Sequence, residues 1–254
     1  MKNVKIITRA DDAGSSRSAN NAIARAINVG FIKNVSLMAP GEFIDEAAAL
    51  FAGNKNVCFG MHATLNAEWD RVKWKPLTNL GTDSGLVDEN GYFWPVTSIF
   101  KETKPRVETV LREYDAQLDL LTKLGFAVNY VDSHMFAEYF IEGLPEAQRE
   151  WANKKGLLNH MDYNNGAKGA HLEENLLNLG KFLCGLPDGH YLYVVHPALY
   201  SEEMLETGTA EMPGCEVARV RSLEAEVVAD PEMLKFVLEN GVSVIRYDEA
   251  EKVV

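Results

Sequence analysis

Short β-rich runs alternate with helical ones along this 254-residue chain, and that alternation restricts the fold more than any other feature. Val4 to Thr8 reads as a strand. A polar turn follows from Asp11 to Ser16, with Ser15, Ser16 or Ser18 available to cap the next helix. From Arg17 to Asn28, apolar Ala19, Ile23, Ala26 and Ile27 recur at the spacing of one helical face, and Gly30 is a helix stop. Asn34 to Met38 is a second strand, Phe43 to Phe51 a second helix, and Val57 to Leu65 a third strand. A β-α-β-α-β order requires parallel pairing with crossover helices.

Residues 66–104 break this rhythm. They hold Trp69, Trp74 and Trp94 among glycines and prolines, and a segment this long without periodicity is commonly functional. A helix resumes from Arg106 to Leu124, then a strand from Ala127 to Val131 and a helix over 143–156. An Asn/Gly-rich loop covers 159–170. Leu172 to Leu183 reads as a helix, His190 to Val195 as a strand and Ser222 to Val228 as a helix. Asp230-Pro231 caps the last helix, and Val242 to Ile245 is the final strand. No repeat or flexible linker appears. The expectation is one α/β domain over residues 1–254, with an insertion at about 66–104, at a length typical of a (β/α) barrel.

Composition narrows the partners. Lysine and arginine number 25 against 37 aspartates and glutamates, a formal charge of −12. That balance disfavours nucleic acid and anionic membranes, which require a basic face. Cys58, Cys184 and Cys215 are widely spaced and suggest neither a disulfide framework nor a thiolate zinc site. The chain opens directly on a strand and lacks a signal-like or membrane-spanning apolar run, so a cytoplasmic location is expected.

The reactive side chains fall at the ends of the strands. Asp11 and Asp12 follow the first, His62 and Thr64 close the third, Asp132, Ser133 and His134 follow the Ala127 strand, and His196 follows the His190 strand. In a parallel sheet those ends share one face, where active sites form. One Asp with two His suits Zn²⁺ or a similar divalent ion. An adjacent carboxylate can act as general base, and a further His can protonate a leaving group. Each group also has an ordinary reading, as a capped turn or a hydrogen-bonded strand end. His160, His171 and His190 read as structural or solvent-exposed. Asp11 and Asp12 would repel each other unless a cation joined them.

The motifs resemble those of the YdjC-like carbohydrate deacetylases. Thr8-Arg9-Ala10-Asp11-Asp12-Ala13-Gly14 is similar to the family's N-A-D-D-F-G signature, and Asn20 to Ile23 and Val35 to Met38 to its next block. Gly60-Met61-His62-Ala63-Thr64-Leu65 resembles G-L-H-x-T-L, and Asp132-Ser133-His134 resembles D-S-H-x-H. His196-Pro197, Arg221 to Glu224, Asp230-Pro231 and Gly241-Val242 resemble its C-terminal elements. The resemblance implies an irregular (β/α) barrel of parallel strands, related to polysaccharide deacetylases. It implies removal of acetyl groups from N-acetylated sugars such as chitooligosaccharides. Asp12, His62 and His134 would hold one divalent ion, generally Mg²⁺ in the family, although the ligand set also suits Zn²⁺. Asp11 would be the base and His196 the acid. Substrate contacts are expected from Thr64, Asp132, Trp69, Trp74, Phe136 and Arg221. The role of Arg221 rests on the resemblance alone, because an i,i+3 pair with Glu224 is its default.

The chain departs from the pattern at Arg9, Ala13 and Phe136, where the family has Asn, Phe and a second His. Phe136 implies altered specificity. The partner expected is a small carbohydrate, with self-association left open. Two other readings remain: a hydrolase of another ester or amide, and a sugar-binding relative that lost its chemistry.

Overall fold

The computed structural model describes residues 3–163 and 165–253. Strand β1 (Val4–Ala13) and helix α1 (Arg17–Val29) lead into β2 (Asn34–Leu37), α2 (Ile44–Phe51) and β3 (Cys58–Ala63). After the irregular segment come α3 (Phe100–Thr103), α4 (Val107–Lys123), β4 (Val128–Ser133), α5 (Leu144–Lys155) and β5 (Leu158–Asn159). The C-terminal part adds α6 (Glu173–Leu176), α7 (Leu179–Gly185), β6 (Gly189–Val195), α8 (Glu202–Leu205), α9 (Gly214–Val228), α10 (Pro231–Glu239) and β7 (Val242–Ile245). Ser16 caps α1 by accepting from the Ala19 amide, and Asp230 caps α10 by accepting from that of Glu232.

The strands form one curled, half-barrel parallel sheet in the order β5-β4-β3-β2-β1-β6. All described pairings between these strands are parallel. β1 is long enough for one edge to serve two partners: Val4–Ile7 pair with β7, and Arg9, Ala10 and Ala13 pair with β2, with a register irregularity at Asp11 and Asp12. The Asn34 amide seals that joint, donating to the carbonyls of Thr8 and Ile245 and accepting from the Tyr247 amide. Residues 165–167 lie along the other edge of β6, exchanging backbone bonds with Leu192. Among the described residues, no helix is long and apolar enough to cross a membrane.

Several elements differ from the sequence expectation. β1 continues to Ala13 rather than ending at Thr8, and β4 includes Asp132 and Ser133. The helix expected over Leu172 to Leu183 is two, α6 and α7. α9 begins at Gly214, eight residues before the expected Ser222. The loop expected at 159–170 contains the end of β5 and a 3-10 turn, His160–Tyr163. The irregular 66–104 segment is anchored by buried Trp74, Leu86, Val87, Phe93 and Phe100.

Side chains alternate across a sheet, so every second residue faces the inside of the curl. Along β1 these are Ile7, Arg9 and Asp11, along β3 Cys58, Gly60 and His62, and along β4 Tyr130 and Asp132. The floor is apolar, with Ile7, Cys58, Tyr130, Leu192 and Tyr247 in one buried cluster. Above it the same strands present polar groups. Gly60 is required by close approach: a Cβ there would stand 2.1 Å from the Tyr130 ring on the neighbouring strand. That ring passes over Gly60 and places its hydroxyl 2.9 Å from Ser36 Oγ. The main apolar core lies on the other face, against the helices.

Candidate active site

Asp11, Asp12, His62, His134 and His196 all line one cavity of about 790 Å³ at the carboxyl ends of the strands. That volume falls in the range of small-molecule sites, roughly 300–1,000 Å³. Three of the four positive-φ non-glycine residues described lie here: Asp12 (φ 65°), Met135 (φ 49°) and Phe136 (φ 53°). Such strained backbone is retained where the surroundings over-determine it, commonly at functional sites.

Asp12 Oδ1, His62 Nε2 and His134 Nδ1 converge. The two nitrogens are 3.1 Å apart, and the oxygen is 3.6 Å from each. Asp12 Oδ1 is buried without a hydrogen-bond partner among the described residues. Donors sharing one ion at ~2.0–2.2 Å stand about 3.0–3.5 Å apart, so the residues fit a divalent cation. Each candidate ligand is held from behind. Asp12 Oδ2 accepts from Arg221 at 2.8 Å, which leaves Oδ1 for the centre. His134 Nε2 lies 2.8 Å from Glu68 Oε2. His62 Nδ1 lies 3.2 Å from Asp132 Oδ1, close enough for an ion pair but off the line of a good hydrogen bond. Carboxylates behind ligating imidazoles set the tautomer and the ring plane.

A second buried layer lies beneath. Arg9 grips Asp11 with both Nε and Nη2 at 2.7 Å, and its Nη1 is 3.0 Å from Asp132 Oδ2 and from the Tyr247 hydroxyl. Asp132 Oδ2 also accepts from Ser36 at 2.9 Å. The repulsion expected between Asp11 and Asp12 is therefore met by two arginines, Arg9 on one carboxylate and Arg221 on the other.

The electrostatics follow. Burial would raise the Asp12 pKa, but Arg221, with His196, His134 and His62, holds it well below the usual carboxylate range. Asp132 is likewise held low against burial, by Arg9 and His62. Burial disfavours a charged His62, yet Asp132, Asp11 and Asp12 outweigh it and raise its pKa to about 9. A cation held between the imidazoles would therefore displace a proton below that pH. The expected result is an apparent metal affinity that rises about ten-fold per pH unit between pH 6 and 8 and levels off above about 9. Titration calorimetry in two buffers of different ionisation enthalpy checks it; affinity independent of pH refutes it.

The expected substrate residues separate. Trp69, Phe136 and Arg221 line the cavity, and the Arg221 guanidinium sits 5.6 Å from the Trp69 ring centroid. Arg221 pairs with Asp12 and not with Glu224, whose Oε2 accepts from the His196 amide. Thr64, Asp132 and Trp74 do not line it. Thr64 is fully buried, its hydroxyl donating to the His62 carbonyl and its amide bonded to Gln117. Asp132 is fully buried behind His62. Trp74 packs edge-on to His134, donates to the Asn66 carbonyl and borders only a smaller cavity of about 220 Å³. His196 is the open member: its side chain is 41 % exposed, with Nε2 4.0 Å from Asp11 Oδ2.

The sequence alone assigns no site role to Glu68, Arg9, Glu224 or His160, all of which line the cavity. Arg9 and Asp11 are two apart on one strand, a signal hidden when the strand is ended at Thr8. On α9 the buried positions are Val217, Ala218, Glu224, Ala225 and Val228, so Glu224 interrupts an apolar stripe at helical spacing. Glu68 carries no such signal.

The YdjC-like protein family model matches residues 5–239, nearly the whole chain. This chain belongs to the YdjC-like family. The YdjC-like chain is 25% identical over 269 residues to a carbohydrate deacetylase of Thermoanaerobacter pseudethanolicus, covering 95% of this chain and 97% of that one. It is 28% identical over 274 residues to carbohydrate deacetylase 2 of Listeria innocua, covering 98% and 100%. Its fold matches that of a protein of Enterococcus faecalis V583 described as a cellobiose-phosphate cleavage protein. The TM-score is 0.76 at 21% identity, over 97% and 98% of the two chains.

Proposed function

We propose that this YdjC-like protein hydrolyses the N-acetyl group of an N-acetylated sugar or short oligosaccharide, releasing acetate, with one divalent metal ion. The supporting observation is the convergence of Asp12 Oδ1, His62 Nε2 and His134 Nδ1 on one point of a sugar-sized cavity, with Asp11 and His196 beside them. The carbohydrate deacetylase relatives, matched over nearly their whole length, support the deacetylation of a carbohydrate. The ligand set suits Zn²⁺, and the family resemblance favours Mg²⁺. When held there, the ion supplies Lewis acidity toward the amide carbonyl and a more acidic water.

The protein's own groups carry the rest. Arg9 fixes both Asp11 oxygens in one plane, so the carboxylate receives the proton of the attacking water without turning away. His196, exposed to the cavity and within 4.0 Å of Asp11, delivers a proton to the departing amine nitrogen. Arg221 is in reach of both Asp12 and the Trp69 ring, so it steadies the ligand while Trp69 and Phe136 offer ring faces to the C–H side of a sugar. Arg9 and Arg17, the basic residues flanking the Asp pair, are engaged by Asp11 and Glu46, which weakens a phosphoester reading.

Metal-loaded protein is expected to release acetate from N-acetylglucosamine or di-N-acetylchitobiose. Chelation and Asp11→Asn should each stop the release. Sugar binding without acetate release, or phosphate release from a sugar phosphate, would replace this reading with one of its rivals.

A further inference from the structure

One wall of the cavity holds a buried ionisable pair that the reaction above does not use. His160, directly after β5, is 2 % exposed, and Glu138, in the turn after β4, is fully buried. His160 Nε2 lies 3.0 Å from Glu138 Oε1. The pair is not closed on itself: Glu138 Oε2 is buried with no hydrogen-bond partner among the described residues, and the Glu138 contact engages only the Nε2 side of the His160 ring. A pair serving only the core would leave fewer polar atoms open, because unsatisfied buried groups are costly. His160 lines the cavity, with its ring stacked on Phe136 at 6.5 Å between centroids. Phe136 is 51 % exposed and offers that wall a ring face but no hydrogen bond.

We propose that His160 reads a ring hydroxyl of the bound sugar, with Glu138 as its positioning residue. The Glu138 carboxylate accepts from Nε2–H, and this fixes the tautomer that leaves Nδ1 as an acceptor. A polyhydroxylated ring resting on Phe136 then donates one hydroxyl to Nδ1. The assignment rests on the sugar-deacetylase reading and adds the group that recognises the sugar.

Steady-state kinetics of the metal-loaded protein with N-acetylglucosamine and di-N-acetylchitobiose test it, with thermal melts alongside. His160→Ala is expected to raise KM about ten-fold with kcat within about two-fold, the effect of one lost hydrogen bond. Glu138→Gln keeps the shape but loosens the imidazole, and should raise KM about three-fold. Adding Phe136→His to His160→Ala returns an imidazole to the same wall and should recover a large part of the loss. An unchanged KM in His160→Ala overturns the assignment. So does a joint fall of kcat and melting temperature that Phe136→His does not relieve, since that marks a purely structural pair. Should His160→Ala fail to fold, an unchanged KM in Glu138→Gln is decisive against it. A wild type that releases no acetate from either sugar refutes the deacetylase reading, and this assignment falls with it.

Discussion

Replacing Asp12 with alanine is expected to abolish metal binding and to lower kcat/KM for acetate release at least about 10³-fold. The variant removes the oxygen that stands 3.6 Å from both imidazoles. Two histidines 3.1 Å apart then face each other without an anion between them. Arg221 also loses its 2.8 Å partner and is free to swing toward the cavity. Asp11→Asn should separate the two carboxylates by role. It should keep the metal stoichiometry and still lower kcat by about 10²–10⁴-fold, the range of a lost general base. Metal content by elemental analysis and acetate release, measured on the same preparations, provide the check. Full activity in Asp12→Ala would remove Asp12 from the centre, and loss of metal from Asp11→Asn would reverse the two roles.

Arg9→Met is expected to be the most destabilising single change near the site, by about 3–5 kcal/mol at neutral pH. Arg9 is 4 % exposed and reaches two carboxylates and a tyrosine hydroxyl. Methionine fills much of its volume but leaves Asp11 and Asp132 buried without their cation. The pH dependence carries a sign. Asp132 has a lowered pKa in the folded protein, so its stabilising contribution is present above the unfolded value, near 3.9, and is lost as the pH falls below it. The gap between wild type and variant should therefore be widest above about pH 5 and narrow in acid. Urea titrations at pH 7.5 and pH 4 measure it. A variant as stable as wild type at neutral pH would mean that water or rearrangement satisfies both carboxylates.

Much of the architecture was legible because it is written in periodicity. The helical face of α1, its capping serine (one of Ser15, Ser16 and Ser18, decided by the structure as Ser16), its Gly30 stop and the short strand runs each follow from local preferences. Where local signals are weak, boundaries moved. β1 was cut short because Asp11 and Asp12 look like the start of a turn; Arg9, Ala10 and Ala13 pair with β2, and the two aspartates sit in the register irregularity between them. The first half of α9 was missed because Gly214 and Cys215 follow Pro213 without an apolar pattern. Thr64, Asp132 and Trp74 sit close in sequence to true cavity residues and still do not line the cavity: Asp132 faces the inside of the curl but is covered by His62 and Arg9, Thr64 is tied to the His62 carbonyl and to Gln117, and Trp74 is packed within the 66–104 segment.

The sequence by itself determined that the strands run parallel and that Asp11, Asp12, His62, His134 and His196 cluster at their carboxyl ends. Those facts depend only on the order of short-range patterns and on the handedness of crossovers. Which atom of each residue faces the centre was decided by the tertiary structure alone. Arg221 arrives 209 residues after Asp12 to occupy Oδ2, Glu68 reaches back from the insertion to His134, and Arg9 ties Asp11 on β1 to Asp132 on β4, with two strands between them. Orientation of a buried charge is a long-range electrostatic outcome. It depends on which counter-charge the fold brings within hydrogen-bonding distance, and no local pattern carries that information.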